Sequence, residues 1–198
     1  MTKSAKPRHY GLYVRLPGAA FAWKFKDCGI TISDESIAWS INDEPYETTP
    51  SNIAEVHLQT NAVGQNIIAT CRIRFRDGPE LLVLSANENG VYADDRARTY
   101  AAFVRDLNRR LADSSQKGIA FTAGYSAERQ TFGFVLIGIC VAFFLVMPTV
   151  LLLISREVSL IPGLYFGVLL VWPLYRLVMT NAPQTYDPRA VPSEFVDI

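Results

Sequence analysis

Three arginines near the middle of the chain are the residues best suited to binding an anion. Arg72, Arg74 and Arg76 alternate with apolar residues, so a β-strand would project all three guanidinium groups from one face, about 6.5–7 Å apart. Arginines at that spacing bind phosphate or carboxylate groups, which predicts contact with anionic lipid or with an acidic partner subunit. The alternative is a solvated strand face whose arginines pair weakly with carboxylates of a neighbouring strand.

A second group of arginines lies in a predicted amphipathic helix, which begins at Asp94 and runs to about Ala112. Acidic residues at its start and basic residues at its end suit the helix dipole. The basic end could also lie near an anionic membrane surface, where each basic residue contributes about 1 kcal/mol. Both interpretations remain open for these residues, which are Arg105, Arg109 and Arg110.

Other reactive side chains do not form a recognisable catalytic or metal-binding pattern. His57 has polar neighbours on a predicted strand and His9 lies in a basic tail, so neither has cysteine or carboxylate groups at ligand spacing. Cys28 and Cys71 have no spacing typical of a disulfide or a metal site, which favours free thiols in a reducing compartment. We therefore predict that the chain is not an enzyme and binds no cofactor or metal.

Two uncharged segments in the last third of the chain predict a transmembrane helical hairpin. Residues 132–154 contain no charged side chain, and residues 160–179 contain only Arg176. A helix needs about 20 apolar residues to cross a bilayer, so each segment is long enough. Gly163 and Gly167 form a GxxxG step, which predicts close packing of helices, most simply against the first span.

Charged residues divide the chain into a soluble and a membrane part. Residues 1–130 carry 16 of the 19 basic and 15 of the 19 acidic side chains. The net charge of zero argues against nucleic-acid binding. Four basic residues flank the two spans on one side and only Arg156 lies between them, so the positive-inside rule predicts cytoplasmic termini. The flanking residues are Lys117, Arg129, Arg176 and Arg189.

Short period-two alternations before the membrane segments predict five or six antiparallel strands between residues 28 and 85, followed by the single helix. Two segments carry a resemblance: the hairpin RFRDGPELLVL at 74–84 and the helix YADDRARTYAAFVRDLNRRL at 92–111. In this order they resemble the pleckstrin-homology-like (PH-like) domains of bacterial membrane proteins. The resemblance implies an α+β fold in which a small antiparallel β-barrel or sandwich is closed by a C-terminal helix. It also implies a scaffold for lipid head groups, peptides or partner subunits.

The resulting domain organisation has six parts. They are an N-terminal tail (1–19), a cytoplasmic PH-like domain (20–115), a linker or interfacial helix (116–131), the two spans (132–154 and 160–179) and a cytoplasmic C-terminal tail (180–198). Within the last tail, Phe195 and Val196 are predicted to form a short docking element.

The predicted function is a non-catalytic interaction protein of the bacterial inner membrane, an accessory or organising subunit of a larger complex. An anionic-lipid-responsive binding module is the second hypothesis and a membrane-bound enzyme the third. Phosphoinositide-binding members of the wider superfamily carry a basic first hairpin, whereas Lys24 and Lys26 are followed here by acidic residues. Inositol-phosphate binding is therefore not expected. The predicted partners are membrane lipids and other membrane-protein subunits, with the oligomeric state open.

Overall fold

The computed structural model describes residues 6–16, 28–63, 66–113, 118–156 and 161–196. The chain divides into two compact units. We call the first, Met1–Ala123 together with Gln184–Ile198, the sheet domain. We call the second, Gly124–Pro183, the helical hairpin.

The sheet domain begins with a four-stranded antiparallel meander, whose strands are β1 (Arg8–Arg15), β2 (Cys28–Ile32), β3 (Ile37–Ile41) and β4 (Glu44–Thr48). A two-residue turn joins β3 to β4, and both of its residues, Asn42 and Asp43, have positive φ angles (53° and 66°). Asparagine and aspartate tolerate this conformation, which matches the twist of a hairpin. Pro45 lies in β4, at the edge of the sheet, where its missing N–H is tolerated.

A second antiparallel group follows, consisting of β5 (Ile53–Val63), β6 (Asn66–Phe75) and β7 (Leu81–Leu84). β7 pairs with β1 and so joins the two groups into one sheet. Two more strands extend this sheet beyond β5. The four-residue β8 (Ala120–Ala123) pairs in parallel with β5, and the two-residue β9 (Gln184–Thr185) pairs antiparallel with β8.

The nine strands are ordered β4-β3-β2-β1-β7-β6-β5-β8-β9, and within the described residues the sheet does not close into a barrel. The prediction of a β-barrel is therefore wrong, because the outer edge of β5 pairs with β8. The predicted α+β class with mainly antiparallel strands is confirmed. The open sheet is nevertheless strongly curved, since Trp39 of β3 stacks on Phe75 of β6 across three intervening strands, with ring centroids 5.3 Å apart.

Helix α1 (Asp94–Asp113) contributes one side of the core and ends one residue beyond the predicted boundary. Asp94 and Asp95 occupy its first turn, as the helix dipole favours. Its apolar stripe is buried, and the large side chains of Tyr100, Phe103 and Leu107 are at most 1% exposed. Phe103 meets Tyr10 of β1 edge to face, with ring centroids 5.6 Å apart.

Three segments that the sequence placed outside the folded domain belong to its sheet. β1 lies in the predicted N-terminal tail (1–19), β8 in the predicted linker or interfacial helix (116–131), and β9 in the predicted C-terminal tail (180–198). The last segment also forms a 3₁₀ turn at Ser193–Phe195. Phe195 and Val196 join the core, where they are 4% and 6% exposed. The sheet domain is thus completed by residues on both sides of the hairpin in sequence.

The helical hairpin contains two helices that are long and apolar enough to cross a membrane. The first runs without interruption through α2 (Ala127–Val141), a π-helical turn (Ala142–Val146) and α3 (Met147–Ser155), and its candidate membrane span is Arg129–Ser155. The second is α4 (Ile161–Thr180). The predicted spans, 132–154 and 160–179, coincide with these helices apart from residue 160, which lies outside the described residues together with 157–159.

Candidate functional sites: two arginine surfaces and a helix crossing

The strand arginines, Arg72, Arg74 and Arg76, are only partly arranged as predicted. Arg72 and Arg74 lie in β6 between residues that are buried in the core, so both side chains project from the outer face of the sheet. β6 ends at Phe75, and Arg76 follows it in the connection to β7. The strand therefore presents two arginines on its outer face, and the third belongs to a turn.

Each strand arginine has a partner inside the sheet domain. An oxygen of Glu55 lies 2.7 Å from a guanidinium nitrogen of Arg74, and an oxygen of Glu80 lies 3.8 Å from one of Arg72. Arg76 donates to the carbonyl of Gly118 over 3.3 Å. Both carboxylate pairs are partly exposed, and pairs of that kind contribute little to stability.

A hydrogen-bonded chain beside these arginines was not foreseen. The Thr122 hydroxyl donates to Glu55 over 2.7 Å and lies 2.8 Å from Nδ1 of His57, which is 8% exposed. Because a hydroxyl has one proton, Nδ1 of His57 donates to Thr122. These hydrogen bonds connect β5 to β8 and orient Glu55 toward Arg74. The alternation of Ile119, Phe121 and Ala123 with smaller or polar residues could have indicated this strand.

The helix arginines, Arg105, Arg109 and Arg110, have different environments. Arg110 has a side chain that is only 10% exposed and bonds to Asp106 and Asp34. Asp106, with a side chain 3% exposed, also accepts from Arg109 over 2.6 Å and from the hydroxyl of Tyr10 over 2.9 Å. Arg110 therefore joins α1 to the loop between β2 and β3, whereas Arg105 and Arg109 face solvent.

The pKa values of Asp106 and Tyr10 in this cluster are shifted in opposite directions. Burial acts to raise the pKa of Asp106, but hydrogen bonds from Tyr10, Arg110 and Arg109 outweigh it and hold that pKa below its usual value. Burial and the bond to Asp106 raise the pKa of Tyr10 to about 12. Asp106 is consequently an anion at neutral pH and holds β1 and α1 together.

A groove lies between α1 and the chain that returns after the hairpin. Its volume is about 440 Å³. We call it the arginine groove; it is lined by Arg105, Arg109, Asp113, Pro188, Arg189, Ala190 and Val191. Arg189 was not predicted as a site residue, because the sequence indicated an extended tail there. A turn signal was present, since Asp187 accepts hydrogen bonds from the backbone of Arg189 and Ala190, both over 2.9 Å.

The two glycines of the GxxxG step differ in their surroundings. A Cβ on Gly167 would lie 2.4 Å from the carbonyl oxygen of Phe144, whereas a Cβ on Gly163 would have no atom within 4 Å. Phe144 lies in the π-helical turn Ala142–Val146. Its carbonyl receives no helical hydrogen bond from Pro148, four residues later, because proline has no N–H. Gly167 thus packs closely against the first span, and Gly163 does not.

All three cysteines are free thiols. Cys71 is buried in the core, where desolvation raises the pKa of its thiol. A thiol with a raised pKa stays protonated and unreactive at neutral pH.

Comparison with known proteins adds no identification. No protein-family model matches this sequence, and a search of curated proteins finds no similar sequence.

Proposed function

We propose that the chain is a non-catalytic, membrane-anchored interaction protein, an accessory or organising subunit of a bacterial inner-membrane complex. The observation that carries the proposal is the position of the helical hairpin in the sequence, between two strands of one sheet. The chain leaves the sheet at Ala123, forms both apolar helices, and returns to pair β9 with β8. A folded domain is therefore anchored by both ends of the hairpin.

Short connections support this anchoring role. Three residues separate β8 from α2, and three separate α4 from β9. The two connections are hydrogen-bonded to each other, since the N–H of Tyr125 donates to the carbonyl of Asn181 over 2.8 Å. Ser126 caps the first helix by accepting from the N–H of Arg129. These contacts fix the point at which the chain enters and leaves the hairpin.

The strand order supports a PH-like domain as the proposed scaffold. Seven strands precede one amphipathic helix, where five or six were expected, and a series of antiparallel strands followed by a single helix is the order on which the resemblance rests. β8 and β9 are additions to that plan. Scaffolds of this kind present loops and a helix face to partners, which suits an interaction role.

Polar side chains in the described part of the domain support interaction over chemistry. Asp106, Arg110 and Tyr10 join α1 to the sheet, and Glu55, His57 and Thr122 join β5 to β8. These groups have structural partners. The helices carry no Asp, Glu, His or Lys at mid-depth, so we propose an anchor or docking surface in preference to an ion pathway.

The native mass of the protein in mild detergent tests the proposed function. We expect the full-length chain to migrate in a complex much larger than its own 22.1 kDa plus detergent, with defined membrane proteins identified by mass spectrometry. Migration at the mass of one chain plus detergent, under conditions that preserve a known membrane complex, would refute it.

Cysteine labelling tests the proposed orientation. In a Cys28→Ser background, a membrane-impermeant thiol reagent should modify Glu157→Cys in intact spheroplasts. A matched Gln184→Cys variant should react only after the membrane is disrupted, because β9 belongs to the domain proposed to be cytoplasmic. The reverse pattern would place the domain on the outer side.

A further inference from the structure

The arginine groove is built from two segments that are distant in sequence. Arg105 and Arg109 are one turn apart on α1, so their side chains lie on the same face of the helix. Arg189 comes from the turn that begins at Asp187. Val191, two residues after Arg189, packs against the core and holds this turn against the sheet domain. The groove is therefore a fixed part of the fold.

Charge gives the groove a preference for anions. Among the described residues that line it, three carry a guanidinium group and one, Asp113, carries a carboxylate. The neighbouring Asp106 bonds to Arg109, but it is shared with Arg110 and with the hydroxyl of Tyr10. Arginine binds carboxylate and phosphate oxygens through pairs of parallel N–H bonds, so either group matches the lining.

The open shape of the groove distinguishes between these ligands. The side chain of Arg109 is 67% exposed, and an ion pair with a small anion at such a site is screened by water and contributes about 0–1 kcal/mol. A polypeptide that covers the groove excludes this water and strengthens each pair. It also contacts the apolar rim formed by Pro188, Ala190 and Val191. Asp113 opposes a doubly charged phosphate but can accept from a backbone N–H.

We propose that the arginine groove binds an acidic segment of a partner protein, whose Asp or Glu side chains pair with Arg105, Arg109 and Arg189. This inference rests on the proposed function, because it names the surface and the partner chemistry of an interaction subunit. The proposed surface differs from the predicted contact at the strand arginines, because it combines two helix arginines with Arg189 from the segment after the hairpin.

Peptide binding to the full-length protein in neutral detergent micelles tests the groove directly. The probe is a fluorescently labelled poly-glutamate peptide, and the readout is fluorescence anisotropy at low and at physiological salt. We expect saturable binding that weakens by about tenfold, equivalent to about 1.4 kcal/mol, in the double variant Arg105→Gln/Arg189→Gln. The matched control is Arg72→Gln/Arg74→Gln, which removes the same charge from the sheet and should bind the peptide nearly as the unmodified protein does.

Several results would overturn the inference. They are an absence of saturable binding, an equal loss in both double variants, and complete competition by inorganic phosphate at the concentration of the peptide. Binding to phosphatidylglycerol vesicles that is lost in the groove variant alone, without peptide binding, would identify a lipid surface as the ligand instead. If the groove variant keeps the large native complex, the groove proposal fails while the proposed function stands. If the unmodified protein has the mass of one chain but binds the peptide, the proposed function fails while the groove proposal stands.

Discussion

Replacing Gly167 with alanine should separate the two helices of the hairpin. The added Cβ would lie 2.4 Å from the carbonyl oxygen of Phe144 and 3.0 Å from a methyl group of Leu145. A carbon and a carbonyl oxygen normally approach to about 3.3 Å, so the backbones must move apart by about 0.9 Å. The close contact is with backbone atoms, which cannot rotate away as a side chain can. Overpacking of this kind costs about 1–3 kcal/mol.

Alanine also favours the helix, and this gain must be subtracted. Gly→Ala inside a helix stabilises it by about 0.5–1 kcal/mol, so Gly167→Ala should lose about 1 kcal/mol overall. Gly138→Ala is the matched control, because it lies inside α2 and its Cβ would have no atom within 4 Å. We expect the control to be neutral or more stable. The two variants should therefore differ by about 2 kcal/mol.

The assay is unfolding of the full-length protein in maltoside micelles by increasing amounts of a denaturing detergent. Energy transfer between dyes at the two ends of the helix pair reports their separation. Gly163→Ala provides a second control within the same GxxxG step, since it also adds a methyl group into open space. Equal stability of the Gly167 and Gly138 variants would refute the reasoning and show that the crossing is not tightly packed.

Four further predictions concern the sheet domain and are measured by denaturant unfolding monitored by circular dichroism. Phe195→Ala should destabilise the domain by about 3–5 kcal/mol, because it empties a site in the core; a change below 1 kcal/mol, as for a surface residue, would contradict this. Asp106→Asn should cost about 3 kcal/mol at neutral pH. Because the pKa of Asp106 is lowered in the folded state, its ionisation stabilises the fold at pH values above 3.8, the ordinary pKa of the group. This stabilisation is lost as the pH falls below that value. The raised pKa of Tyr10 stabilises the fold below pH 10.0, and this is lost as the pH rises toward about 12. An unchanged acid limb in Asp106→Asn would refute the first assignment, and an unchanged alkaline limb in Tyr10→Phe the second. Arg74→Gln should lower the stability by only a few tenths of a kcal/mol. Glu55→Gln should lower it by about 1 kcal/mol, because Glu55 also accepts a hydrogen bond from the hydroxyl of Thr122 in β8. A larger loss for Arg74→Gln than for Glu55→Gln would be inconsistent with the observed bonds.

Local patterns in the sequence predict local structure well in this chain. The helix over 94–113 carries an acidic first turn and an apolar stripe, and its predicted boundary differs from the observed one by about a residue. The strand Ile37–Ile41 lies within the predicted series over 28–85, and its burial alternates with period two as its apolar residues do. In each case the signal and the structure involve the same few consecutive residues.

Long-range pairing is what the sequence did not reveal. β8 has only four residues and forms a strand because β5 offers it an edge; the bonded pair His57 and Thr122 are 65 positions apart. The alternation over 119–123 is a signal for this strand, but so short a run also occurs in linkers and does not reveal the partner strand. The arginine groove also depends on long-range pairing. Arg189 lies beside α1 because the chain returns after the hairpin and pairs β9 with β8.

The insertion of the hairpin between β8 and β9 also determines the order of events during synthesis. The 60 residues of Gly124–Pro183 are translated between these two strands, which takes about 3–12 s at 5–20 residues per second. During that interval the outer edge of β8 and the core site of Phe195 are open, and exposed edges of this kind attract chaperones or other chains. The sheet domain can finish folding only after both apolar helices have left the ribosome. A chain interrupted within the hairpin therefore keeps an unfinished sheet, which makes a failure in the apolar helices recognisable to proteases that act on the sheet domain.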